Sequence, residues 1–482
     1  MGYNIGVDRQ QLTLMPVSLD EYIPEGHICR VIYAFTGQLD LVTLGYKHAE
    51  LKDRGCRPYD PQMMLCLYLY GYLNRTRSSR RLEAETTRNV EVMWLMQGLM
   101  PDDRTICNFR KDNTKALRET FRTFSRMCLK LGLYGCENEA TDGVKFRANN
   151  SRKNNHNKTT VDRELTRLDK QINEYLAALE KADAEEVGEQ KPDTAAVKAA
   201  LEQLKQRRGL VEELRKEVEK EGEVSTVDPD AKLMRSGGDN RPLDVCYNVQ
   251  ATVDDKHCLI VDFDLADRSD DKGNLLNMSE RAKEILEVEN ISHLADKGYY
   301  DGADIAASEA AGAACLVAKP KPGGAKKEEG FTRSDFTYDR EEDCYECPCK
   351  NRMGYMRDQR HSDGKVYRVY ANYAACGNCP QKGKCTEGDR RQILRPLYQD
   401  TLDIVDKRTR ENKELYRKRG MVVEHPFGTV KAVWGYKQFL CRTKAKVIAE
   451  TALAFLAYNM RRVVNIFAEK GDNLAAALGQ TR

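Results

Sequence analysis

The sequence predicts an α+β protein: a helical N-terminal region, then a mixed core sheet that is interrupted twice. Three observations predict this. Residues 20–130 carry their apolar residues at helical spacing. Between Asn138 and Asp296 the pattern changes to short alternating or fully apolar runs, the mark of strands. Two segments break that pattern, a charged helical stretch at 161–221 and a cysteine cluster from Cys344 to Cys385.

Taken in order, PQMMLCLYLYGYLN (61–74) is apolar on most sides and predicts the core helix of the N-terminal region. Arg75, Arg77, Arg80, Arg81 and Arg88 follow, spread over a turn and the next helix. Pro101, Asp102 and Asp103 read as a helix start leading into RTICNFRKDN, which carries Arg104 and Arg110. Short helices joined by an arginine-rich connection resemble a helix-turn-helix reader of DNA.

EATDGVKF places Asp142 in an extended segment ahead of Val144 and Phe146. Leu165, Leu168, Ile172, Tyr175, Leu176 and Leu179, then Val197, Leu201, Leu204, Leu210, Val211 and Leu214, predict two helical arms separated by Gly188 and Pro192. VCYNVQATVD and CLIVDFDLAD predict two strands around a turn at Asp255 and Lys256. Alternation in the second puts Asp262 and Asp264 on one face, expected to be the exposed one. An amphipathic helix (272–289), a strand ISHLAD ending in Asp296 and a strand CLVAKP come next. That order is the order of an RNase H-like sheet with a helical hairpin inserted after its first strand. A Gly/Lys-rich linker, KPKPGGAKKEEG, leads to the cysteines. Helices close the chain, one around Thr401 to Arg419, one from near Val423, and one on KVIAETALAFLAYNMRRVVNI.

Composition narrows the function. The chain has 482 residues, 41% hydrophobic and 32% charged, with no apolar run long enough to span a bilayer and no secretory pattern at the N-terminus. A cytoplasmic protein is expected, its 16 cysteines serving as thiols or metal ligands rather than disulfides. Net charge is only +3, yet it is uneven. Residues 407–446 hold 12 Lys/Arg against three Glu, and 145–158 hold five Lys/Arg, Arg147 among them, with no acid. Local basic tracts on a near-neutral chain suit a nucleic-acid partner met at chosen surfaces.

Among many carboxylates, an Asp at a strand end beside a glycine is well placed to hold a hard cation. TDG (141–143) and ADKGYYDG (295–302) both have that form. Taken with YNVQATVD, with VVEHPFGTVKAVWGYKQFL and with LAYNMRR, these motifs resemble the catalytic core of DDE transposases of bacterial insertion sequences. IPEGHICRVI, RGCRPYDPQMMLCLYLYGYLNRTRSSRRLE and PDDRTICNFRK resemble the helical domain preceding that core in one branch. The likeness runs over nearly the whole chain in the family's order.

The resemblance implies Asp142, Asp296 and Glu424 as the acidic triad, holding two Mg²⁺ or Mn²⁺ ions about 4 Å apart. It implies hydrolysis of a phosphodiester at the element's end, then attack of the freed 3′-hydroxyl on target DNA, on a homodimer. A Y-x2-R-x3-E-x6-K signature surrounds the third acid in relatives. Tyr416, Arg419, Glu424 and Lys431 recur here, with four residues between Arg419 and Glu424. Seven residues apart, Glu424 and Lys431 share roughly one helical face, which would aim Lys431 at a phosphate. Phe427, Trp434 and Tyr436 nearby could stack on flipped bases or pack in the core.

Of Cys344, Cys347, Cys349, Cys376, Cys379 and Cys385, the resemblance singles out Cys347, Cys376, Cys379 and Cys385 as ligands of a structural zinc, with Cys344 and Cys349 in reserve. The expected DNA-contacting set is Arg75, Arg77, Arg80, Arg81, Arg104, Arg110, Arg147 and Arg419.

The expected organisation is a helical DNA-binding domain at 1–135, the first core strand at 136–155 and a helical hairpin at 156–225. The sheet core follows at 226–325, a zinc-ribbon-like insertion at 326–395 and the C-terminal core helices at 396–482. Two other readings stay open: a domesticated or inactive relative that binds DNA without cutting it, and a metal-dependent nuclease without strand transfer.

Overall fold

In the computed structural model, residues 18–51, 57–184, 194–235, 242–320, 330–361, 366–472 and 474–479 are described. Gly188, Pro192 and most of the Gly/Lys-rich linker lie outside them.

Six helices open the chain: α1 (Ile28–Gly37), α2 (Pro61–Leu73), α3 (Ser79–Arg88), α4 (Val90–Leu95), α5 (Asp103–Asp112) and α6 (Thr114–Lys130). Capping chemistry sets two of the starts. Asp60 accepts the Gln62 N–H ahead of Pro61, and Asp102 accepts the Thr105 N–H at 2.6 Å. Helix α2 is buried all round, from Met64 to Leu73, as its continuous apolar sequence requires.

The central sheet uses β1 (Asn138–Arg147). A small ladder of β2 (Asn155–Asn157) and β3 (Glu223–Ser225) closes the base of a hairpin of α7 (Lys158–Ala184) and α8 (Thr194–Glu221). Val161, Leu165 and Val218 form that hairpin's own small core. The sheet continues with β4 (Lys232–Arg235), β5 (Leu243–Asp254), β6 (Ile260–Ala266), α9 (Leu275–Leu286), β7 (Ile291–Ala295), α10 (Gly302–Ala310) and β8 (Ala313–Val317). Both β4 and β6 pair with β5, followed by β1, β7 and β8. Pairing is antiparallel from β4 and β6 through β5 to β1, and parallel from β1 through β7 to β8.

A second, all-antiparallel sheet orders β13 (Gln392–Pro396), β12 (Val366–Ala371), β11 (Arg352–Arg360), β10 (Cys344–Glu346) and β9 (Thr337–Asp339). Phe336, Tyr345, Met353, Tyr370 and Ile393 fill its separate core. The short helices α11 (Tyr373–Gly377) and α12 (Lys382–Cys385) carry Cys376 and Cys385, with Cys379 between them.

The chain ends with α13 (Gln399–Glu411), α14 (Lys413–Phe427), a π-helical turn (Gly428–Val433), α15 (Lys444–Glu469) and α16 (Leu474–Gly479). Helix α15 packs on α2, α6 and β6, so one hydrophobic core runs from the N-terminal helices through the sheet. Among the described residues no helix is long and apolar enough to cross a membrane.

Three expectations are corrected. The helix break falls at Asn412, not between Arg419 and Val423, so α14 carries Tyr416, Arg419 and Glu424 on one rod. Asp262 is fully buried, because α6 and α9 cover its face with Arg118, Arg122 and Arg281. Arg110 is buried too: its guanidinium lies over the Tyr68 ring and donates to the Tyr72 hydroxyl, so it cannot meet DNA.

Candidate active site

The register of β1 explains why two aspartates meet. Strand β7 pairs with β1 only as far as Thr141, which lies opposite Ala295. Asp142 is the next residue on one strand and Asp296 the next on the other, so both leave the paired region at the same level. A sheet that splits beyond the end of a parallel strand forms a crevice there, the usual ligand position in such sheets. Each aspartate spends one oxygen locally. Asp142 Oδ1 accepts the Gly143 N–H at 2.8 Å, and Asp296 Oδ1 accepts the Gly298 N–H at 2.6 Å as the cap of a 3₁₀ turn.

Helix α14 packs against β1, β5 and β7, burying Val422, Val423 and Pro426. The Tyr416 hydroxyl donates to the Ala295 carbonyl at 3.2 Å, pinning the helix beside Asp296. Arg419, about one turn on, brings Nη1 to 3.6 Å from Asp142 Oδ2. Its Nε and Nη1 are buried with no hydrogen-bond acceptor. Glu424 stands about one and a half turns further along the same helix and is exposed to solvent.

Burial pushes the Asp142 carboxyl up to about 6; Arg419 and the Gly143 N–H pull it back, while Asp296 and Asp271 push it further up. Asp271 is a residue that sequence reasoning left with the solvated acids. In DRSDDKGN nothing separates it from Asp267 and Asp270; only the fold selects it.

Lys431 lies in the π-helical turn, which shifts its phase relative to Glu424. Its ammonium donates to the Lys145 carbonyl at 2.6 Å, on the β1 edge that β7 leaves open. Tyr436 packs edge-on against Tyr72, and Phe427 and Trp434 pack on the main core.

The arginines divide by burial. Arg75, Arg80, Arg81 and Arg104 are exposed. Arg77 bonds Glu450 and the Gln438 carbonyl under the Tyr436 ring, tying the N-terminal helices to α15. Arg147 is exposed and paired with Asp244 at 3.1 Å.

Cys347, Cys349, Cys376, Cys379 and Cys385 line one cavity in the second sheet with Phe331, Phe336 and Met353. Cys349 and Cys379 approach to 3.7 Å. Cys344 is buried in β10 and is not among the residues lining that cavity. A further trio of ligand type, His27, Cys29 and Glu91, sits in the N-terminal helices. There the His27 Nδ1 accepts the Cys29 N–H, which leaves the ring proton on Nε2, facing Glu91. That geometry is a helix cap with a carboxylate beside its Nε2–H, not an open ligand set.

Comparison with known families meets this geometry at two places. Residues 17–112 match the family described as "Transposase domain (DUF772)", and residues 330–464 match "Transposase DDE domain". The two matches together support a DDE transposase of an insertion sequence. No curated protein and no solved structure matches it. The first match covers the transposase's α1 to α5, and the second its cysteine cavity, Arg419, Glu424 and Lys431. Asp142, Asp271 and Asp296 fall between the two matches, so the first and last are grouped by strand register and Asp271 by its bonds to Asn248 and Gln250 on β5.

Proposed function

We propose that this transposase cleaves the ends of an insertion sequence and joins them to target DNA by two-metal phosphoryl transfer, with Asp142, Asp296 and Glu424 as the acids of an RNase H-like core. The observation that carries the reading is the abreast emergence of Asp142 and Asp296 where β7 ends, under the helix that bears Glu424.

The donor set fits hard divalent cations, Mg²⁺ or Mn²⁺: carboxylate oxygens crowd one crevice and, among the described residues, one guanidinium pairs with them. A pair of such ions supplies Lewis-acid charge to the phosphate under attack. The residues themselves position and neutralise. Arg419, its Nη1 3.6 Å from Asp142 Oδ2, offsets part of the crevice's negative charge and holds that carboxylate in place. Lys431 holds the open edge of β1, and so the setting of Asp142, through its bond to Lys145.

DNA ends would lie on the exposed Arg75, Arg80, Arg81 and Arg104 of the helical domain and on Arg147, with two copies of the chain pairing the two ends. In the cysteine insertion a structural zinc is the expected occupant. The Cys349–Cys379 separation of 3.7 Å matches the edge of a tetrahedron with Zn–S bonds of about 2.3 Å. Cys349 therefore competes with Cys347, Cys376, Cys379 and Cys385 for the four positions. Elemental analysis should find about one zinc per chain.

The test is an assay on DNA carrying the element's ends with Mg²⁺ or Mn²⁺, scoring cleavage and joining separately. Asp142→Asn, Asp296→Asn and Glu424→Gln should each abolish cleavage and leave end binding intact. Cleavage without joining in the wild type would reduce the reading to a nuclease. Undiminished cleavage by Asp296→Asn would overturn the triad.

A further inference from the structure

Asp271 lies in the loop between β6 and α9, where an acidic residue ordinarily serves the following helix as a cap. It does not do so here. The first N–H groups of α9, those of Leu275 and Leu276, are taken by Asp304 from α10 at 2.9 and 3.0 Å. Asp271 instead turns toward the sheet, and its Oδ1 accepts from Asn248 Nδ2 and Gln250 Nε2, both at 2.8 Å. Those amides sit on β5 opposite Lys145 and Gly143, immediately beyond Asp142. Gln250 is itself oriented, because its carbonyl oxygen receives the hydroxyl of the fully buried Tyr299. The chain Tyr299–Gln250–Asp271 thus fixes which oxygen of Asp271 is engaged. Oδ2 takes neither amide.

Two glycines make room for this carboxylate. A Cβ on Gly143 would lie 2.3 Å from Asp271 Oδ1. A Cβ on Gly298 would lie 2.7 Å from Asp296 Oδ1 and 3.4 Å from Asp271 Oδ2. Oxygens of both acids therefore border one small volume kept free of side chain at Gly298. Arg419 reaches Asp142, and no guanidinium or ammonium is paired with Asp296 or Asp271 among the described residues. Two carboxylates around a shared gap, held by protein groups that neither neutralise nor separate them, suit a small hard cation.

We propose that Asp271 is a fourth carboxylate of the metal centre, binding one divalent cation together with Asp296. The proposal rests on the transposase reading of the same crevice. It gives the TDG and DKG glycines a reason: each keeps a side chain out of the space that Asp271 and the cation need. It also gives the two ions more than three protein carboxylates to share.

The experiment is Mn²⁺ binding to the full chain, followed by calorimetry and by the electron paramagnetic resonance of free Mn²⁺, with melting in chelator as the control for folding. Asp271→Asn keeps an oxygen for both amides and should fold as wild type. It should weaken one of two Mn²⁺ sites by about tenfold or more while leaving end-DNA binding unchanged. Gly298→Ala, which places a methyl group in the shared volume without touching Asp271's hydrogen bonds, should weaken the same site. Wild-type Mn²⁺ affinity in both variants, with Asp142→Asn impaired, would overturn the role of Asp271 alone. A wild-type chain that binds no Mn²⁺ would overturn this role and the metal reading of the crevice together.

Discussion

Two acidic clusters sit on the same sheet and have opposite electrostatic character. Around Asp262, which is wholly buried, Arg118, Arg122 and Arg281 stand at 3.3, 3.6 and 3.1 Å, and the first and last also reach Asp264. Burial pushes the Asp262 carboxyl up, and the three guanidiniums oppose it. In the crevice at the end of β7, Asp142, Asp271 and Asp296 crowd together, and among the described residues Arg419 is the cation paired with them, through Asp142. A fold that gathers carboxylates and pairs them is making an interior ion network. One that gathers carboxylates and leaves them unpaired has left charge for something else to complete. Sequence patterns do not separate the two, since DFD and TDG are equally short acidic motifs on strands.

The comparison breaks most sharply under substitution. Asp142→Asn or Asp296→Asn should lower DNA cleavage by about a thousandfold or more, since several kcal/mol of transition-state stabilisation would go with the metal. Neither should weaken the fold, and gel-based cleavage beside thermal melting reads both. Asp262→Asn should do the reverse. It leaves three buried or half-buried guanidiniums facing a neutral group, a loss of about 3 kcal/mol in denaturant titration. Its Mn²⁺ affinity should match wild type. If Asp262→Asn melts normally, the balanced network is not what stabilises that face.

The pH dependence sharpens the contrast. Asp142's carboxyl is raised from the usual 3.8 to about 6, so in the interval between them the folded chain binds a proton that the unfolded chain has lost. Its contribution to stability therefore falls as pH rises through that interval and stays low above it. In chelator, Asp142→Asn should gain on wild type in melting temperature across this interval and keep its lead above it. Added Mn²⁺ should close the gap only where the carboxylate is ionised, above about 6. A gap that does not vary with pH would assign the raised carboxyl elsewhere.

The smallest effects concern the arginines. Arg80→Ala and Arg81→Ala should each reduce the salt slope of end binding by about one counterion. Arg77→Ala should instead cost stability, because that side chain bonds Glu450 and lies 4.2 Å from the centre of the Tyr436 ring. A flattened salt slope in Arg77→Ala with an unchanged melt would restore it to the DNA face.

Much of this was legible in the residues. The helix at Pro61, the two arms of the hairpin, the strands around Asp255 and the apolar helix near the C-terminus follow from periodicity and from caps, which act over a few residues. So does the placing of Asp142 on a strand beside Gly143 and of Asp296 at a strand's end. Burial was the weaker inference. Arg110 and Asp262 look like surface charges in sequence and lie in the interior, because their partners come from other elements, Tyr72 for one and α6 and α9 for the other. The break expected before Val423 also failed, since Gly420 continues a helix whose Val422 and Val423 are buried against the core.

By itself, then, the sequence determined which segments are helix and strand, where the cysteines gather and which family the motifs resemble, all properties of local pattern. Only the tertiary structure decided which charges are answered. It set Asp271 among the site's acids, placed Arg419 on Asp142, moved Lys431 to the edge of β1 and brought Cys349 into the thiol cavity. The reason is distance: Coulomb energy and hydrogen bonding depend on separations of a few ångströms in space, and residues more than a hundred positions apart acquire those separations only when the sheet closes.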